Sequence, residues 1–292
     1  GAAIFAEDAA VQGAQYICMS PLVPQTGPSA ERSAKLAREA AAVGEIDDTG
    51  HLAGHRLYIF TGSKDKVVYS DVVRRTKTFY ELLGVPAGSI AYRDSVPAGH
   101  SIITDNPEDS PLDANEPPYI NHGGFMQSHD ILRHVYGGLK PPSERLQGRL
   151  VRFDQTEFFA CERRASMSPF GYAYIPRRVE AGAAARVHIA LHGCKQGYAY
   201  TNYVNGRPDI RSEPPYGSRY ITTTGYNHIA DSNDIIVLYP QVQGADDLHT
   251  QNPDGCWDWW GYTSTNPQRP DYYTRNAVQI RAIHAMLARL GG

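Results

Sequence analysis

The sequence has little excess of either charge: 28 Lys and Arg stand against 31 Asp and Glu, a net charge of −3. Without a basic stripe there is no electrostatic footprint for nucleic acid, and no such partner is expected. No apolar stretch approaches the ~20 residues a membrane span needs, so no membrane partner is expected either. There is no H-E-x-x-H motif and no paired C-x-x-C. The histidine pairs His51/His55, His129/His134 and His188/His192 are scattered, which argues against a metal centre. Nothing calls for a cofactor. No internal repeat is found. The opening residues, GAAIFAEDAA, show neither an initiator Met nor a charged-then-apolar leader. Gly1–Phe5 reads as a strand already in progress, as it would in a processed chain or in part of a longer one.

What is present fits a soluble globular protein: 41% hydrophobic and 20% charged residues over 292 positions, a length common for one α/β domain. The four cysteines, Cys18, Cys161, Cys194 and Cys256, allow two disulfides in three pairings, or four free thiols.

Strand-like and helix-like segments alternate. Ala2–Phe5, Arg56–Thr61, Ser89–Arg93, residues 149–153 and 172–176, Val187–His192 and Ile235–Tyr239 read as strands. Pro28–Gly44 reads as a helix with Ser29 as N-cap and Leu36, Ala40 and Val43 on its inner face. Asp71–Gly84, with Val72, Phe79 and Leu83 aligned, and His129–Tyr136 read the same way. So do Ile221–Ser232, weakened at Gly225, and Tyr273–Leu290, with Ile280, Ile283, Leu287 and Leu290 on one stripe. Residues 105–118 (DNPEDSPLDANEPP) form an acidic, proline-rich loop whose spacing matches no EF-hand and which reads as solvated. Residues 137–148 read as a linker. This pattern predicts a mostly parallel sheet with helices on both faces, whose active residues sit on loops at the carboxyl ends of strands.

Three strand-end loops carry chemistry. TGSKDKVV after RLYIFT places Asp65 where it could orient a histidine and stabilise its imidazolium, or merely cap the helix near Ser70. VPAGHSI after SIAYRD places His100 as a general base and acid, or as one surface histidine among eleven. LHGCKQG after VHIA offers the backbone N–H of Cys194 as an oxyanion donor, with His192 in a structural role. Acid then histidine is the order of an α/β-hydrolase triad, but there the oxyanion loop precedes the nucleophile. Here it follows both, which suggests a circular permutation.

No nucleophile matches. The G-x-S-x-G elbow is absent, and Ser20, Ser63, Ser101, Ser168 and Ser218 all lack the flanking glycines. In a permuted fold the elbow should lie upstream of Ala2–Phe5.

The stretches AAIFAED, RLYIFTGSKDKVV, AGHS, PPYIN with HVYGGL, VHIALHGCKQGY, TGYNHIADSNDIIVLYP and NPDGCWDWWGY resemble the extracellular poly(3-hydroxybutyrate) depolymerases with a circularly permuted α/β-hydrolase catalytic domain. They span nearly the whole chain. The resemblance implies Asp65 and His100 as triad acid and base, the Cys194 N–H as oxyanion donor, a Cys194–Cys256 disulfide and Trp259 as a polymer contact. It leaves the pairing of Cys18 with Cys161 open. The family's lipase box is missing, so residues 1–292 are expected to be a single catalytic domain lacking its nucleophile strand, elbow and helix, and inactive as they stand.

What the resemblance implies further is a secreted or periplasmic monomer acting on a polyester or oligoester. Trp257, Trp259 and Trp260, with tyrosines clustered around them in sequence, suit an apolar polymer surface, with one or two rings exposed. Two alternatives stand beside it: a secreted carboxylesterase for small or aryl esters, and a non-catalytic polyester- or glycan-binding protein.

Overall fold

Alternating strands and helices build the chain, as the sequence pattern requires. The computed structural model describes residues 16–160, 163–201, 203–204, 207–209, 213–246, 251–266 and 269–291. The expected strand Ala2–Phe5 and Cys161 lie outside them. The chain divides into two compact units, Gly1–Gly124 with 259–261 and 265–276, and Phe125–Asp258 with 262–264 and 277–292.

In the first unit, helix α1 (Ala30–Ala42) starts at Ser29, whose side chain accepts the Arg32 N–H as an N-cap. Its buried face matches the expected one only in part. Ala40 is buried and Leu36 half-buried, but Val43 is 73% exposed, and Ala30, Ala34 and Ala37 complete the inner face. Ala30, Ala34 and Ala37 pack against Phe79 and Leu83, and small side chains let two helices approach closely. Strand β1 (Leu57–Phe60) leads through helix α2 (Ser70–Leu82) to β2 (Ile90–Arg93), which pairs parallel to β1 with Leu57 opposite Ile90. A parallel pair needs a crossover of this kind. A second parallel pair, β3 (Ile102–Thr104) and β4 (Ile120–His122), brackets the acidic loop.

The second unit begins with helix α3 (Gln127–Tyr136). Strands β5 (Arg149–Asp154), β6 (Phe170–Ile175), β7 (Arg186–Ile189) and β10 (Ile235–Tyr239) form a sheet in the order β5-β6-β10-β7. Two short antiparallel pairs, β8 (Tyr203–Val204) with β9 (Arg207–Pro208) and β11 (Ala245–Asp246) with β12 (Gln251–Asn252), lie apart from it. Strand β10 is buried along its whole length, as its unbroken apolar run IIVLY requires of a strand covered on both faces.

The α/β character is as expected, but this sheet is mixed. β7 and β10 are parallel, whereas β6 runs antiparallel to both β5 and β10. The reason is local. Among the described residues, β5 and β6 are joined through the single turn α4 (Thr156–Phe159) and a 3-10 turn at Arg163–Ala165, and β6 and β7 through the single turn α5 (Arg177–Glu180). Neither is a helix-length crossover. Between β7 and β10 stand α6 (Arg219–Thr223) and α7 (Tyr226–Ser232), divided at Gly225. Helix α8 (Val278–Gly291) buries Gln279, and it buries Val278, Ala282 and Met286 in a cluster with Phe159, Ala173 and Leu238. Its expected stripe is displaced: Ile280 is 41% exposed.

Candidate active site

The Asp65 loop leaves β1 through Gly62, where the chain passes so close to the next loop that an added Cβ would lie 2.0 Å from the Ala98 carbonyl oxygen. The loops are laced by the Ser63 N–H to Val96 and the Lys64 N–H to Ala98. This brings Asp65 and His100 together. Asp65 Oδ2 stands 2.9 Å from His100 Nδ1, with the acid side chain 6% exposed and the imidazole 36% exposed. Asp65 Oδ1 accepts the N–H groups of Val67 and Val68 at 2.8 and 2.9 Å. The acid thus has its orienting bonds, while helix α2 starts at Ser70 without a side-chain cap from it. With Nδ1 donating to the carboxylate, Nε2 is the basic nitrogen. The Tyr119 ring meets the imidazole edge to face, with centroids 5.2 Å apart. Tyr119 was not singled out in sequence, because its proximity depends on the β3–β4 pairing.

In the second unit, the LHGCKQG loop follows β7. His192 is buried, and its ring ties this loop to the one after β10. Its Nε2 accepts the Val242 N–H at 3.1 Å, so Nδ1 carries the hydrogen and donates to the Gly193 carbonyl at 2.7 Å. Burial pushes its pKa down to about 4, against the weaker opposing effect of the Gly193 bond. A neutral ring with both nitrogens engaged is a structural group. Gln196 Oε1 accepts the Gly193 N–H at 2.6 Å, and the Lys195 N–H reaches the Asp254 carbonyl at 2.7 Å. Between them, the Cys194 N–H has no acceptor among the described residues.

Cys194 and Cys256 form a disulfide. Cys18 is a free, half-buried thiol, whose pKa burial raises to about 11. Cys256 is held in turn by Asn252, which accepts its N–H and donates to its carbonyl, both at 2.9 Å. The tryptophan-rich stretch divides between the units. Trp257 packs on the second unit's core, 5.7 Å from the His192 ring. Trp259 belongs to the first unit and meets Trp260 edge to face at 5.5 Å. All three indoles are half-buried, so none is fully exposed as expected for one or two of them. Among the described residues, no group of three His, Cys, Asp or Glu side chains is placed to hold a metal ion.

An acid–histidine pair on strand-end loops of an α/β chain defines an α/β-hydrolase-like protein. No family model matches the chain. It is 32% identical over 254 residues to a poly(3-hydroxybutyrate) depolymerase of Delftia acidovorans, covering 86% of this chain and 45% of the relative. It is 30% identical over 233 residues to a polyhydroxybutyrate depolymerase of Talaromyces funiculosus, covering 76% and 63%. The chain therefore spans about half to two thirds of these relatives' length. Among solved structures, it matches the PHB depolymerase from Penicillium funiculosum with a TM-score of 0.81 at 26% identity, over 96% of this chain and 82% of that one. A serine-to-alanine variant of a PHB depolymerase complexed with an R3HB trimer matches equally, over 97% and 83%. The resemblance to the poly(3-hydroxybutyrate) depolymerases read from the motifs is borne out in both sequence and fold.

Proposed function

We propose that residues 1–292 belong to the catalytic domain of a secreted, monomeric, serine-type ester hydrolase with a circularly permuted chain order. Its substrate is poly(3-hydroxybutyrate) or a related short-chain polyhydroxyalkanoate. The serine comes from outside these residues, since no elbow occurs within them. The observation that carries the reading is the 2.9 Å Asp65–His100 contact, with a buried acid and a partly exposed imidazole.

In this reading the serine hydroxyl attacks the ester carbonyl and its proton passes to His100 Nε2. Asp65 holds the ring and stabilises the imidazolium. The Cys194 N–H donates to the oxyanion. Collapse of the tetrahedral intermediate expels the alcohol end of the ester, which takes the proton from Nε2. Water, activated by the same nitrogen, then frees the acid end. Trp259 contacts the polymer. The Cys194–Cys256 disulfide supports an oxidising compartment, and the named relatives support the substrate.

The test is release of soluble 3-hydroxybutyrate products from polyester film by the full open reading frame that contains these residues. Turnover is expected, with Asp65→Asn lowering kcat by about 10⁴. Residues 1–292 alone are expected to give none. Film binding without turnover by the full protein would move the chain to the polyester-binding alternative. Preference for soluble aryl esters would move it to the carboxylesterases.

A further inference from the structure

The acidic loop between β3 and β4 reads in sequence as a solvated connection. In the structure its Asn115 side chain lies, half-buried, between the two loops that carry Asp65 and His100. Asn115 Oδ1 accepts the Lys66 N–H at 2.8 Å, one residue past Asp65. The same oxygen accepts the His100 N–H at 3.1 Å. Asn115 Nδ2 donates to the Lys64 carbonyl at 3.1 Å and to the Asp113 carbonyl of its own loop at 3.0 Å. One amide therefore binds the residues on both sides of the acid and the backbone of the histidine itself. The Lys66 and His100 amides have no other acceptor among the described residues.

The loop that presents Asn115 is itself anchored. Asn121 on β4 is fully buried, and its Nδ2 donates to the carbonyls of Leu112 and Ala114, both at 2.9 Å. The Gly99 N–H reaches the Leu112 carbonyl at 2.9 Å. A Cβ at Gly99 would lie 2.0 Å from the Ala114 carbonyl oxygen, so only glycine lets the histidine loop press this closely against residues 114–115. An anchored amide that spans two catalytic loops fixes their separation, which a carboxylate–imidazole hydrogen bond needs.

We infer that Asn115 is a positioning residue for the Asp65–His100 pair, acting through the Lys66 and His100 amides. The role in turnover rests on the hydrolase reading above, but the positioning itself is measurable without turnover. The readout is proton NMR of the full protein that contains these residues. A carboxylate-bound His100 Nδ1 proton gives a strongly downfield resonance, to be assigned through its loss in His100→Gln. It is expected in the wild type and absent in Asn115→Ala. It should persist in Asn115→Asp, which keeps the shared acceptor oxygen, and in Asn106→Ala, which alters the same loop away from the pair. A variant with merely structural effect would lower stability and leave the resonance in place. Persistence in Asn115→Ala, or absence in the wild type, overturns the proposal.

Should Asn115→Ala fail to fold, amide exchange in the wild type decides. The Lys66 and His100 amides lie in loops without backbone partners, and both are expected to be protected. Free-loop exchange at either overturns the bridge. Failure of the full protein to hydrolyse esters, with these NMR outcomes intact, would count against the hydrolase reading and leave the positioning standing.

Discussion

His192 is buried and His188 half-buried, and burial pushes the pKa of each down to about 4, which leaves both rings neutral at pH 7. In the unfolded chain each takes its proton near pH 6.5. Between those values the unfolded chain binds more protons than the folded one. Stability is therefore fully present above about pH 6.5 and falls as the pH drops towards about 4, by roughly 3 kcal/mol for each ring. His188 stacks on Tyr226 and lies 3.2 Å from the Tyr136 hydroxyl. His188→Phe keeps the packing and removes one titrating group. Urea midpoints measured from pH 7 to pH 4.5 are expected to fall less steeply in the variant; an unchanged slope would exonerate His188. The same scale shows what the sequence could tell about the site. Asp65, His100 and Cys194 could be nominated because each follows a strand within a glycine-bearing loop, and the structure pairs the first two. Asn115 and Tyr119 could not, because their roles come from loops brought together by pairing and packing far along the chain.

Helix existence was legible from periodicity, and so was the face of α2, where Val72, Phe79 and Leu83 are buried as aligned, but the faces of α1 and α8 were legible only in part. In α1 the stripe Leu36, Ala40 and Val43 suggested the inner face; Ala40 is buried, but Leu36 is only half-buried and Val43 exposed, and Ala30, Ala34 and Ala37 meet Phe79 and Leu83, which fill the space themselves. Ala34, 1% exposed, has no room for more. Ala34→Leu is expected to cost about 1–3 kcal/mol by overpacking, whereas Val43→Lys should stay within about 0.5 kcal/mol. Chemical denaturation of the two variants checks the assignment, and the reverse ranking would refute it. Gly225 was legible as a weak point because of its residue type. Its φ of +83° and its surroundings make it a division between α6 and α7: an added Cβ would lie 2.3 Å from Met126 Cγ. Gly225→Ala should lose about 1–3 kcal/mol from backbone strain plus the clash. Adding Met126→Ala relieves the clash alone, so the double variant should recover stability only in part relative to the sum of the single losses. Full additivity in that cycle would mean the methionine contact does not matter.

At the scale of the whole molecule, the second unit draws its order from covalent and polar ties as much as from its apolar core. Gln155, fully buried, donates to the carbonyls of Ser168 and Gln241 and accepts the Gln241 N–H. It thereby ties the end of β5 to the segment after β10, which His192 ties in turn to the LHGCKQG loop. The Cys194–Cys256 disulfide closes a span of 62 residues across the same region. In the chain-entropy account a loop of that size contributes about 4 kcal/mol by restricting the unfolded chain. Because the bond acts mainly there, its loss should lower stability while leaving the His192 hydrogen bonds in place. A thermal scan in dithiothreitol is expected to lower the Tm of the wild type and to leave a Cys194→Ala/Cys256→Ala variant where it already lies. The variant's low Tm and the reductant-treated wild type's should coincide. An equal further drop of the variant in reductant would show that a different bond is being broken, and would assign the lost stability away from the Cys194–Cys256 bond.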